Sequence, residues 1–214
     1  MSTVSSAPRP RNATERSILD AARELIAESG YERTTIDAIA RRAIVSRTAI
    51  YFYFPNKRAI VDRLIQRSFT DMYAAASPYL DGSGEPRQEL RAGIARVAAV
   101  VNRDGAVLLL AAQLAGERSH LPEEWMPHLR RLVVAAEHRI ARDQRLGRAF
   151  DDVPARLAAQ ALCAMVERHI TLEVVRGGGV ASSSIWLLAE LWWRAVYSRP
   201  DSAVDAGSSG APSA

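Results

Sequence analysis

Apolar residues recur along most of this chain at intervals of three and four, and nowhere in the sustained alternation of a half-buried strand. A first helix is predicted with Thr14 as N-cap, Ile18, Ala22, Leu25 and Ile26 on its buried face, and Gly30 as its stop. Thr35 caps a short second helix that turns Ile36, Ile39, Ala40 and Ala43 inward. Ser46 caps a third, which buries Ile50 and Phe54. Pro55 ends that helix, and Asn56 caps a long fourth one running to about Ala76. Five more helices are predicted beyond the break at Asp81-Gly82-Ser83-Gly84. They run from Pro86 to about Asn102, from about Asp104 to Ala115, from Pro122 to Arg145, from Pro154 to Arg176, and, after Gly177-Gly178-Gly179, from Ser183 to Ser198. The predicted fold is all-α, with about nine helices and no internal repeat.

Residues 1–12 are rich in Ser and Pro with Arg9 and Arg11 near their end, which predicts a flexible basic arm. Residues 199–214, rich in Ser, Ala, Gly and Asp, read as a disordered tail. An apolar content of 48% excludes wholesale disorder for the rest. Cys163 stands alone, so no internal disulfide can form, and a reducing compartment is expected. Neither a leader nor a charge-free apolar span is visible, so the expectation is a cytoplasmic protein with no membrane contact. The net charge of +4 is placed unevenly. Residues 1–72 hold 12 Arg and Lys against 8 Asp and Glu, whereas the remaining residues hold 16 of each. All the surplus lies in the first third, which favours a polyanionic partner there.

The segment from Thr35 to Phe54 meets the requirements of a helix-turn-helix: two short capped helices, a tight turn, and a second helix with polar residues near its start. Ala43 lets the turn approach closely, and Val45 fills the space between the helices. With Ile50 and Phe54 inward, Arg47, Thr48 and Tyr51 point outward. Arg47 suits a bidentate contact to guanine O6 and N7, worth ~1–3 kcal/mol of base discrimination. Thr48 can bond a base edge or touch a thymine methyl, and Ala49 is small enough to allow close approach. Tyr51 and Tyr53 carry hydroxyls suited to phosphate oxygens. Thr35, Ser46, Lys57 and the backbone N–H groups opening the fourth helix complete the phosphate-facing set. The arm arginines could reach an adjacent minor groove. A helical adaptor that uses the basic N-terminus for protein or membrane contact is the alternative.

Nothing suggests catalysis. His120, His128, His138 and His169 have no metal-ligand spacing with Cys163 or with each other, and Gly177-Gly178-Gly179 follows a helix rather than opening one. No cofactor and no metal are expected.

At Thr35-Ile36-Asp37-Ala38-Ile39-Ala40, Val45-Ser46 and Tyr51-Phe52-Tyr53-Phe54-Pro55-Asn56-Lys57 the chain resembles the TetR family of bacterial one-component regulators. The last run is close to that family's Tyr-x-x-Phe-x-x-Lys signature. Within the family it is most similar to the mycobacterial EthR-type regulators, through Ser46-Arg47, the Tyr-Phe-Tyr-Phe-Pro run, Trp125 and Glu167-Arg168. The resemblance implies a DNA-binding domain over residues 13–55 and an effector-binding and dimerisation domain over 56–198. It implies a ligand-responsive regulator, usually a repressor, that binds a palindromic double-stranded operator as a homodimer. A small hydrophobic effector would release it. The lining of the effector site is expected from Leu90, Val97, Leu109, Gln113, Trp125, Leu129, Met165 and Trp192. EthR-type relatives place amides on the penultimate helix, where this chain has Cys163 and Val166; Gln113 and His169 are other polar partners. Adjacent Trp192 and Trp193 diverge by about 100°, so one is expected inside and the other at a dimer seam or in solvent. The last two helices, with Ala158, Ala161, Leu162, Ile185, Leu188, Leu191 and Val196, are expected either to build a four-helix dimer interface or to serve each subunit's own core. One departure stands out. The family's turn glycine is Ile44 here, and a positive φ there would cost on the order of 1–3 kcal/mol.

Overall fold

The computed structural model describes residues 11–82, 84–114, 126–177 and 179–198. Among them lie eight α-helices and no strand: α1 (Arg11–Ser29), α2 (Ile36–Ala43), α3 (Arg47–Tyr53), α4 (Lys57–Asp81), α5 (Pro86–Leu114), α6 (Met126–Arg145), α7 (Ala155–Val175) and α8 (Ser182–Tyr197). The expected tail, Arg9 of the arm and Trp125 lie outside the described residues.

Local chemistry sets the first half of the chain closely. Thr35, Ser46 and Asn56 each accept a hydrogen bond from the backbone N–H three residues on, at 3.1, 3.0 and 2.9 Å. Each such cap is worth ~1 kcal/mol. α1 buries Ile18, Leu19, Ala22 and Ile26, and α2, α3 and α4 contribute Ile39, Ile50, Ile60 and Val61 to the same core. The expected cap at Thr14 is a correction: α1 starts at Arg11, right after Pro10, so Thr14 lies within the helix.

The turn between α2 and α3 is a Schellman motif. Val45 N–H reaches the Ala40 carbonyl at 3.0 Å, and Ile44 N–H reaches that of Arg41 at 3.3 Å. Both bonds require Ile44 in the left-handed region, with φ 57° and ψ 51°, and it is the one non-glycine residue with positive φ among those described. Its side chain is 80% exposed, so no burial offsets the strain.

Two expected boundaries are corrected. α4 continues five residues past Ala76, through Pro78. Pro78 has no N–H for the Ala74 carbonyl, and the Ser77 hydroxyl donates to that carbonyl instead, at 3.1 Å. α5 is one helix where two were expected. Asn102, Asp104 and Gly105 looked like a break, but their polar groups are engaged within the fold. Asn102 accepts from Val180 N–H at 2.7 Å, and Asp104 accepts from the Ser68 hydroxyl at 2.7 Å. Gly105 lies where an added Cβ would be 3.5 Å from Val174, which is ordinary contact. α6 is described from Met126, so its expected start at Pro122 lies outside the described residues.

Long α4 and α5 pack along each other, α6 lies on α4, and α7 and α8 close the far side of α5. At the distal end of α4 a polar network is buried. Arg139 and Asp143, both fully buried, pair at 2.6 Å. Arg139 also donates to the carbonyls of Tyr79 and Gly82. Tyr197 donates to Asp143 at 2.7 Å, Tyr79 and Tyr197 share a hydrogen bond at 3.1 Å, and Trp192 Nε1 donates to the Tyr79 hydroxyl at 3.1 Å. This ties α4, α6 and α8 together where the apolar core alone would leave their relative register loose.

Replacing Ile44 with Gly relieves the left-handed strain and loses some unfolded-state stiffness. A net gain of about 1 kcal/mol is expected. Urea unfolding should show a higher midpoint with an unchanged slope; a midpoint that stays put or falls would mean the turn is not strained.

Candidate functional site

The α3 helix is seven residues long and presents one face outward. Arg47, Thr48, Tyr51 and Phe52 are exposed, Ala49 and Tyr53 are half-buried, and Ile50 is completely buried. The outward row expected from the sequence is therefore brought together on one surface. Thr35 and Ser46 flank it, each with its side-chain oxygen engaged in capping. Phe52, 65% exposed, was not anticipated. Its edge meets the Tyr53 ring, with centroids 5.2 Å apart. The spacing to buried Ile50, two residues back, is the signal that could have found it.

Arg47 is not idle in the unliganded chain. Its guanidinium bonds both Asp37 carboxylate oxygens at 3.1 Å and the Tyr51 hydroxyl at 3.4 Å. An exposed pair of this kind is worth ~0–1 kcal/mol, less than the ~1–3 kcal/mol of a bidentate guanine contact. The pair with Asp37 holds Arg47 on the outward surface of α3. Lys57 is placed differently from expectation. Its ammonium donates to the Tyr31 carbonyl at 2.9 Å and sits 3.9 Å over the Tyr31 ring. It staples the α1–α2 loop to the start of α4, and a phosphate would have to share it.

Behind the head lies a second polar cluster. Asp104 of α5 is 3% exposed. It accepts from Ser68 of α4 at 2.7 Å and from Arg103 at 2.7 and 2.6 Å, and Arg23 of α1 approaches to 3.7 Å. Burial raises the Asp104 carboxyl's pKa, but the bonds from Arg103 and Ser68 outweigh it and hold the group below the usual carboxylate value. Arg67 bonds Asp20 at 2.9 Å, and Arg103 bonds Asp71 at 2.7 Å. α1 is thereby joined to α4 and α5 by charge as well as by packing.

A cavity of about 460 Å³ lies between α4, α5, α6, α7 and α8. Leu90, Val97, Leu109, Leu129 and Trp192 line it, as the sequence led us to expect. Gln113 and Met165 do not, and both are corrections. Gln113 is exposed, one turn beyond lining Leu109 and next to the end of α5 at Leu114. Met165 stands two residues or about 200° round α7 from lining Cys163 and packs on the core from another side. Cys163 and Val166 both line the cavity, and burial pushes the Cys163 thiol up to about 12, so it is a neutral, weakly polar wall. His169 is half-buried, 3.8 Å from Glu173, and is not among the lining residues. The sequence reading missed Gln160, Glu167 and Thr171, which lie on the α7 stripe that also carries Cys163. Trp192 points inward, while Trp193 stacks on Tyr197 under the Arg87 guanidinium.

Of the candidate dimer residues, Leu162, Leu188 and Val196 are buried in the subunit's own core, the second of the two expected alternatives. Ala158 and Ile185 are half-buried, and Ala161 and Leu191 are exposed. Leu157, Trp186 and Leu187 join them on the outside, 57%, 53% and 40% exposed. No described helix is long and apolar enough to cross a membrane, and no metal-binding cluster of three His, Cys, Asp or Glu occurs among the described residues.

A helix-turn-helix head carried on a helical body with a deep apolar cavity defines a one-component DNA-binding transcriptional regulator. Residues 18–64 match the family described as bacterial regulatory proteins, tetR family. The HTH-type transcriptional regulator EthR of Mycolicibacterium smegmatis is 24% identical over 189 residues, covering 86% of each chain. A TetR-like transcriptional regulator from Rhodococcus sp. RHA1 has a similar structure, with TM-score 0.61 and 26% identity, covering 88% of this chain and 98% of that one. The SmeT–triclosan complex shares the fold, with TM-score 0.67 and 22% identity over 94% of this chain and 99% of that one. Residues 18–64 thus carry the DNA-binding head of the TetR family, and the chain as a whole is similar to regulators of that family.

Asp104 supplies a test of how head and body are joined. Its depressed carboxyl contributes stability above the unfolded value of 3.8, and that contribution is lost as pH falls through the lower folded value. Asp104→Asn should cost about 2 kcal/mol at pH 7, with the gap to wild type closing below about pH 4. Parallel stability curves down to pH 3 would show that the charge contributes nothing.

Proposed function

We propose that this regulator binds a palindromic duplex as a homodimer, reads it with α3, and is released when a small hydrophobic molecule occupies the cavity. Repression is its mode, and the cytoplasm, where promoter DNA lies, is its place of action. The observation that carries this reading is the outward row of Arg47, Thr48, Tyr51 and Phe52 on a capped helix fixed by a strained turn. Arg47 and Thr48 choose the sequence. Tyr51, Tyr53, Thr35 and Ser46 hold phosphates, and Ala49 permits close approach. Lys57 keeps the flanking loop in place and exchanges the Tyr31 carbonyl for a phosphate oxygen on the duplex. Residues 13–55 form the reading unit and 56–198 the effector and dimer unit, with α4 passing from one into the other. Exposed Leu157, Ala161, Leu187 and Leu191 supply the apolar dimer surface on α7 and α8. The cavity's volume and nearly all-apolar lining suit a drug-sized effector, and the name of one fold neighbour records a triclosan complex.

A duplex enriched from a random pool by the full chain supplies the probe. Arg47→Ala should weaken binding to it by ~1–3 kcal/mol and narrow the margin over random DNA. Lys57→Ala should weaken both duplexes alike and reduce the salt slope by about one. Equal binding of wild type and Arg47→Ala, at matched salt, would remove α3 from recognition.

A further inference from the structure

Among the described residues the cavity lining carries no Arg, Lys or His, and the Gln160 amide is its one side-chain N–H donor besides the Trp192 indole. At its deep end, Tyr197 donates to Asp143, so the bond it shares with Tyr79 is donated by Tyr79. Tyr79 in turn accepts from Trp192 Nε1. The indole and both hydroxyl donors therefore point along one chain toward Asp143, away from any ligand. Burial also raises the pKa of the Tyr79 hydroxyl to about 12, which keeps it protonated in that role. Arg139 packs on the Tyr79 ring at 4.9 Å and is paired with Asp143, so its charge is matched before a ligand arrives.

The other end shows the same bias. Glu167 is the one charged residue among the described lining residues, and it is exposed. The Thr171 hydroxyl donates to it at 3.0 Å, which uses the only hydroxyl donor near the mouth among the described lining residues. A carboxylate entering the apolar space would find no cation among the described lining residues, with only the Gln160 amide to donate to it and Glu167 to repel it. Burying an ion without a partner is strongly unfavourable. An alcohol or an ammonium group would instead donate to Glu167 while its apolar body fills the space beside Leu90, Leu129 and Trp192.

We propose that the effector is an amphiphile with an uncharged or cationic hydrogen-bond-donor head, held at Glu167, and that carboxylate amphiphiles are excluded. This rests on the cavity being the effector site, as argued above. The test uses three probes with the same ten-carbon chain: 1-decanol, decylamine and decanoate. Each is titrated into the full chain at pH 7 by calorimetry, below its aggregation concentration. Decanol and decylamine should bind, and decanoate should bind at least about tenfold more weakly. Glu167→Gln should abolish the advantage of decylamine over decanol, and Glu167→Lys should favour decanoate. Decanoate binding as tightly as decanol to wild type would overturn the proposal while leaving the cavity as the effector site. Failure of all three to bind would overturn both. Both variants change an exposed residue, so retained melting behaviour confirms that they fold.

Discussion

Asp104 is the constraint on which the relation of the two functional regions depends. A carboxylate this buried requires partners, and it draws them from α5 itself through Arg103, from α4 through Ser68 and from α1 through Arg23. α1 is the framework helix of the reading head, and α5 is the longest wall of the cavity. A carboxylate bonded to all three helices fixes the angle at which the head leaves the body. The apolar contacts beside it could slide at little cost; a buried, hydrogen-bonded charge cannot. The Arg139–Asp143 pair does the same at the distal end of α4, so that helix is held by polar bonds both near the head and behind the cavity.

Under the proposed function, these two anchors are the route from ligand to DNA. Phe69, Met72 and Tyr79 of α4 line the cavity, and Ser68 on the same helix bonds Asp104. A ligand that displaces these side chains acts on a helix whose two ends are fixed, so the strain is passed along the helix instead of being absorbed locally. The head carries its own strain at Ile44. A left-handed β-branched residue at the turn persists because Val45 and Ile44 both need that geometry for their bonds to α2.

How much was legible before the structure depended on the range of the interaction. The reading head is local chemistry: Thr35, Ser46 and Asn56 are caps whose partners lie three residues away, and their sequence pattern located the starts of α2 and α3 to the residue. The family resemblance added the roles of the head. The body depends on distant partners, and there the reading slipped. Asn102 and Asp104 looked like helix breakers because their partners, Val180 and Ser68, are 78 and 36 residues away. α4 was expected to end near Ala76, and its passage through Pro78 depends on a side-chain bond from Ser77. Met165 was misplaced since spacing alone cannot say which of two buried-looking faces meets a cavity, and Gln113 since it lies next to the end of α5, beyond the lining residues. The glycine missing at Ile44 was visible in the sequence, and so was its cost.

The central claim is that α3 reads DNA as one half of a symmetric pair. Hydroxyl-radical footprinting of the full chain on its enriched duplex tests that directly. The expected result is two protected stretches related by symmetry, their centres separated by about one helical turn or a multiple of it. A single protected stretch, or uniform protection without register, would contradict the account.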